Sequence, residues 1–138
     1  AIGQALAVAQ PEWGERIGVC IDTAHLWGAG HDIGTPEAAT TTLAAMDAAF
    51  GLAAVRIIHL NDTTTALGGH RDLHARLGEG IIGADGLRTL LRDARLAHTA
   101  IILETPIKLR EGTEEHDWDD DRTRIDYARQ LARNLKNS

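Results

Sequence analysis

Three short runs of apolar, largely β-branched residues punctuate the chain: Arg16–Asp22, Val55–Asn61 and Thr99–Glu104. Their hydrophobicity is nearly continuous rather than alternating, as in parallel strands covered on both faces. Helical periodicity fills the gaps between them. Pro36 to Phe50 is Ala-rich and opens with Pro36 in first-turn position after Thr35. Ala84 to Leu96 sets Leu87, Leu90, Leu91 and Ala94 on one face, and Asp121 to Lys136 repeats the spacing with Ile125, Ala128, Leu131, Ala132 and Leu135. With a helix ahead of the first run, strands and helices alternate. That order predicts a curved, parallel, three-stranded sheet with helices on one side.

Three further segments are read from local pattern. The acidic stretch Glu111–Asp121 predicts a solvated loop leading into the last helix. Gly78-x-Gly80-x-x-Gly83 imitates a dinucleotide-binding fingerprint, but such a motif must follow a strand directly, and Gly68–Arg76 ahead of it is polar. Those glycines predict instead a tight loop before the helix. Cys20, in the middle of the first apolar run, predicts a small buried hydrophobe rather than a nucleophile.

Length and composition narrow the picture. At 138 residues and 43% apolar, the chain is expected to be a single domain over 1–138. Three strands leave two open edges, and four strand–helix units make half of an eight-stranded TIM barrel, which runs to about 250 residues. The expected fold class is therefore α/β, a partial TIM barrel. One cysteine excludes an internal disulfide and a four-cysteine zinc site, and the one serine, terminal Ser138, excludes a Ser-His-Asp hydrolase. A net charge of −6 argues against coating nucleic acid by charge alone, though not against a local basic groove. No apolar stretch approaches the roughly 20 residues of a membrane span, and no basic segment precedes the apolar N-terminal residues. A cytoplasmic location is expected. The chain starts at Ala1 rather than Met, as a processed protein or a piece of a longer one would.

Seven histidines turn attention to metal chemistry. Each predicted strand ends in a potential ligand: Asp22, His59 and Glu104. Singly, Asp22 is a helix cap, His59 a core histidine and Glu104 a surface partner for a base. Together they fall on the carboxyl ends of the strands, where α/β proteins build their sites. His25 follows Asp22 by three residues, and Asp72-x-His74 puts two ligand types on one side of an extended segment. Imidazole and carboxylate are zinc ligands, and three protein ligands leave a position open for water or substrate.

These residues also carry a resemblance. Cys20-Ile21-Asp22-Thr23-Ala24-His25-Leu26-Trp27-Gly28-Ala29-Gly30-His31-Asp32, then His59-Leu60-Asn61-Asp62, Asp72-Leu73-His74-Ala75-Arg76-Leu77-Gly78-Glu79-Gly80 and Leu103-Glu104-Thr105-Pro106 resemble, in order, motifs of the endonuclease IV family. The resemblance implies the C-terminal half of a TIM barrel and a zinc-dependent endonuclease cutting damaged double-stranded DNA 5′ to an abasic site. It assigns Asp22, His59 and Glu104 to one zinc and His25, Asp72 and His74 to another, with no catalytic side chain beyond the metal ligands. The family's third zinc, and a glutamate bridging two metals, draw on an N-terminal half with no counterpart here, so the isolated chain is expected to lack normal activity. Ala24 replaces the usual Cys, Thr63-Thr64 a Ser-Lys pair, and His70 and Leu73 stand where arginines flank the Asp-x-His motif. The lost basic residues predict weaker phosphate contact. Two other functions share some of these features: a metal-dependent sugar isomerase or epimerase of the same barrel group, which lacks the Asp-x-His loop, and a non-catalytic half-barrel that pairs with a second copy.

Overall fold

The computed structural model describes residues 2–104 and 106–133. Its elements are α1 (Ile2–Trp13), β1 (Val19–Asp22), α2 (Thr23–Gly28), α3 (Pro36–Phe50), β2 (Val55–His59), β3 (Asp62–Thr63), β4 (His74–Ala75), α4 (Gly83–Leu91), β5 (Ala100–Ile102) and α5 (Trp118–Ala132), with short 3-10 turns at Gly14–Arg16, Leu52–Ala54 and Ala94–Leu96. The main sheet runs β1-β2-β5 and is parallel throughout, as expected. In register, Asp22 lies beside His59 and His59 beside Ile102. Strand alternation then puts Glu104, two residues on, on the same face as Asp22 and His59.

One hydrophobic cluster joins sheet and helices. Val19 and Ile21 of β1 and Val55 and Ile58 of β2 are buried against Leu43 and Met46 of α3, Leu87 and Leu90 of α4 and Leu131 of α5. Each large aliphatic side chain removed from water in this way contributes about 1.5–3 kcal/mol before entropy is counted. The opposite face of the sheet carries Cys20, Ile57 and Ile102 and no comparable cover; Ile102 is 42% exposed. Cys20 is exposed, contrary to the expectation of burial. An apolar run identifies a strand without saying which of its faces the helices cover, and Cys20 alternates onto the bare one.

Two helix boundaries also differ from expectation. The third helix spans Pro36–Phe50 as the sequence predicts: Thr35 caps it by accepting from Ala38 N at 3.1 Å, and Gly51, at φ 76°, follows its last residue. The fourth helix stops at Leu91, because the Asp93 carboxylate accepts from Arg95 N at 2.9 Å and starts a separate 3-10 turn. The last helix begins at Trp118, inside the acidic stretch. Asp117 caps it, and Asp119, Asp120 and Asp121 occupy its first turn, where negative charge suits the helix dipole. Asp120 is not solvated: it pairs with buried Arg124 and lies 3.2 Å from Arg76. The expected extension of this helix beyond 133 lies outside the described residues.

Candidate metal centre

Asp22 ends β1 and caps α2 at once. Its Oδ1 accepts from His25 N at 3.0 Å, which turns the chain so that the His25 ring returns to within 3.8 Å of Asp22 Oδ2. The capping role is therefore filled by Oδ1, which leaves Oδ2 facing the His25 ring. On the other side of the same oxygen stands His59, with Nδ1 3.8 Å from Asp22 Oδ2 and 3.0 Å from Glu104 Oε2.

The third contribution comes from outside the main sheet. Beyond β2 the chain forms β3, which pairs antiparallel with β4 so that Thr63 faces His74. Close backbone packing holds the intervening loop against the turn after α2. Trp27 Nε1 donates to Thr65 O at 2.8 Å, Gly68 N to Trp27 O at 3.0 Å, and His70 N, from a left-handed backbone at φ 51°, to Gly28 O at 3.0 Å. Asp72 is thereby laid between two rings, with Oδ2 3.2 Å from His25 Nε2 and Oδ1 3.0 Å from His74 Nε2.

All six residues singled out in the sequence thus meet at the carboxyl ends of the strands. Ligand atoms of Asp22, His59 and Glu104 lie within 4.8 Å of one another, and so do those of Asp22, His25 and His74. Asp22 sits in both groups and joins the clusters, while Asp72 touches His25 and His74 directly.

The chemistry of the donor set fits a cation. His74 Nδ1 lies 3.1 Å from the Glu104 carbonyl oxygen, which can only accept, so Nδ1 carries the proton. That leaves Nε2 with a bare lone pair in the neutral ring. Nε2 is shut off from solvent, has no hydrogen-bond partner among the described residues, and faces a carboxylate oxygen. Two lone pairs at 3.0 Å repel unless a proton or a metal cation lies between or beside them. Fixing one ring nitrogen through a backbone carbonyl is how metal-binding histidines are oriented. The carboxylates and imidazoles also act on one another. Asp72, through its hydrogen bond, and the charges of Asp22 and Glu104 raise His25 above the usual imidazole range, while His25 holds Asp72 below the usual carboxylate range.

Sequence reasoning missed Asn61. It is fully buried, and its Nδ2 donates to Asp22 Oδ2 at 2.9 Å and to Glu104 Oε2 at 3.2 Å. Its Oδ1 accepts from Glu104 N at 3.1 Å, and its own N–H is taken by Thr23 Oγ1 at 2.8 Å. One amide therefore sets the angle of carboxylates from two strands. The available signal was its position two residues past His59, which keeps it on the site's side of the chain. Thr64, His70 and Leu73, where the sequence departs from the motif pattern, are all exposed.

Parallel strand–helix units with carboxylates and imidazoles gathered at the carboxyl ends of the strands define a metal-site barrel class. Residues 4–134 match the profile of the xylose isomerase-like TIM barrel. The chain belongs to that family, on its endonuclease IV branch. It is 40% identical over 119 residues to a protein of Chloroflexus aggregans named probable endonuclease 4, and 46% identical over 92 residues to one of the same name from Chloroflexus aurantiacus. Those matches cover 86% and 67% of this chain but only 39% and 32% of the two relatives. The crystal structure of endonuclease IV from Thermus thermophilus superposes with a TM-score of 0.67 at 36% identity, over 83% of this chain and 38% of that one. The fold is thus a partial TIM barrel, and the chain spans under two-fifths of these relatives, in keeping with three strands of eight.

Proposed function

We propose that this chain carries two of the metal-binding clusters of a zinc-dependent abasic-site endonuclease, which hydrolyses the phosphodiester 5′ to a lesion in damaged double-stranded DNA. The observation that carries the proposal is the convergence of three carboxylates and three imidazoles at the strand ends, with the buried His74 Nε2 3.0 Å from Asp72 Oδ1. His25, Asp72 and His74 would hold one ion and Asp22, His59 and Glu104 another. Bound zinc would supply Lewis-acid chemistry, activating water and neutralising the leaving oxygen. The chain's own residues do the positioning: Asn61 orients Asp22 and Glu104, the Glu104 carbonyl fixes the His74 ring, and Asp72 spans two rings. The Asp72–His74 loop also favours this reading over a sugar isomerase, whose chemistry needs fewer metal sites.

By the family pattern the His25–Asp72–His74 set is complete in this chain, while Asp22–His59–Glu104 lacks its bridging glutamate. Three protein ligands and a water satisfy tetrahedral zinc, so the first cluster is expected to bind most tightly. Zinc titration against a chelator tests this. His74→Ala should remove the tightest-bound ion, and His59→Ala should leave it in place; the reverse result would reassign the ligands. On an abasic duplex with zinc, this chain alone should incise poorly, since it spans under two-fifths of its relatives. Efficient incision would mean that the residues present suffice or that a second copy completes the site.

A further inference from the structure

The Gly78-x-Gly80-x-x-Gly83 loop does cradle an anion, and that anion is a side chain of the same protein. Asp62, fully buried on β3, accepts backbone N–H groups from Thr63 at 2.8 Å, Gly78 at 3.0 Å, Gly80 at 3.1 Å and Ile82 at 3.0 Å, with Gly83 at 3.3 Å. The last two donors open α4, which has no side-chain cap of its own. A carboxylate from some twenty residues upstream takes the place a cap or a phosphate would fill at a helix N-terminus. Gly80 is required by close approach: a Cβ there would run into the Asp62 carboxylate and lie 2.6 Å from Thr63 O. Gly78 is required by its backbone, at φ 79°.

The chain between Thr63 and Gly78, whose two ends Asp62 ties together, is the stretch that carries Asp72 and His74. Thr63 Oγ1 donates to Leu73 O at 2.5 Å, between the two ligands, and Ile81 N donates to Thr63 O at 2.7 Å. Asp62 pairs with Ala75 and Thr63 with His74 across β3–β4. Asp72 is 62% exposed, and among the described residues its carboxylate pairs with His25 and His74, so its own packing does little to place it. Its position depends on how the chain around it is tied down.

We propose that Asp62 is a positioning residue for the His25–Asp72–His74 cluster. By gathering the amides of residues 78–83 it fixes the return of the loop, and with it the β3–β4 pairing that presents His74 and Asp72 to His25. The role rests on the metal-site reading above, and it concerns one cluster only. Asp22 and His59 end β1 and β2, and Glu104 follows β5 by two residues, so their positions follow from the parallel pairing of the main sheet.

The test uses the full chain with Asp62→Asn, and with Gly80→Ala as a second variant that displaces the loop while leaving the carboxylate intact. Zinc affinity of the His25–Asp72–His74 cluster, measured in a His59→Ala background, should fall about 10- to 100-fold. Affinity of the other cluster, measured in a His74→Ala background, should stay within about 2-fold. The visible spectrum of cobalt in the first cluster should change in both variants. Amide hydrogen exchange on the metal-free chain gives a readout that needs no ion: β3–β4 amides should lose protection while β1–β2–β5 amides keep it. Retained β3–β4 protection, or equal weakening of both clusters with general loss of protection, would overturn the proposal. If the wild-type chain binds no zinc while the exchange result still holds, the metal reading fails, and the positioning role falls with it.

Discussion

Asn61 shows how much one buried amide can be asked to do. Its three side-chain hydrogen bonds go to Asp22, to the Glu104 carboxylate and to the Glu104 backbone, joining β1 to the segment after β5 through the end of β2. Truncation strands buried polar groups on both neighbours, and each such loss costs about 1–3 kcal/mol. Asn61→Ala should therefore lower urea-unfolding stability by about 2 kcal/mol. Asn61→Asp should be worse in chelator, since it adds a third carboxylate beside Asp22 and Glu104, and zinc should recover part of the loss. Equal stability of the Asp variant with and without zinc would count against a cation at that position.

At the scale of elements, the N-terminus of α5 offers the sharpest contrast between a charge run and a structural device. Asp119 and Asp120 are neighbours in the acidic stretch, and nothing in their sequence separates them. Asp119 is 75% exposed beside Arg122, whereas Asp120, at 10%, pairs with Arg124 at 9% and also meets Arg76. Arg124 further donates to Pro106 O, tying α5 to the segment that follows Glu104. Removing one member of a buried ion pair leaves the other uncompensated, at a cost of about 3–5 kcal/mol. Asp120→Ala should approach that loss in thermal or denaturant unfolding, and Asp119→Ala should stay within about 0.5 kcal/mol of the parent. Two similar values would place both aspartates on the surface.

Across the whole molecule the dominant feature is a sheet covered on one face. Helices α3, α4 and α5 pack on the Val19–Ile21 side, and the Cys20–Ile102 side is open. A cleft of about 860 Å³ runs from Asp22 and His59 along the free edge of β1 to Met46 and Phe50, which joins the candidate metal centre to unpaired apolar surface. The native chain should therefore react at Cys20 with a thiol reagent without unfolding first. Partial burial, then the nearby charges of Asp22 and Glu104, push the Cys20 thiol above its ordinary range. The nucleophile is the thiolate, so the native reaction should be slower than that of the unfolded chain at neutral pH, and its rise with pH should be displaced to higher values. Zinc that neutralises the two carboxylates should move the profile back down. A native rate limited by global unfolding would mean that the bare face is covered in solution.

The chain's own pattern determined the alternation of strand and helix, the parallel sheet, both ends of α3 and all six side chains that converge at the strand ends. Those features are local: apolar periodicity, a Thr-Pro start, an Ala-rich helical run and polar residues at the ends of apolar runs are each written within a few positions. The tertiary structure decided the rest. Which strand face is covered depends on where the helices pack, so Cys20 was misplaced. Whether an acidic residue is solvated depends on a partner such as Arg124 or Arg76, so Asp120 was read as surface. Asn61 and Asp62 acquire their roles from partners 20 or more residues away, Glu104 in one case and the amides of Ile82 and Gly83 in the other. Sequence spacing carries no distance information at that range, because it is the folded packing of β3, β4 and β5 that brings those groups within hydrogen-bond reach.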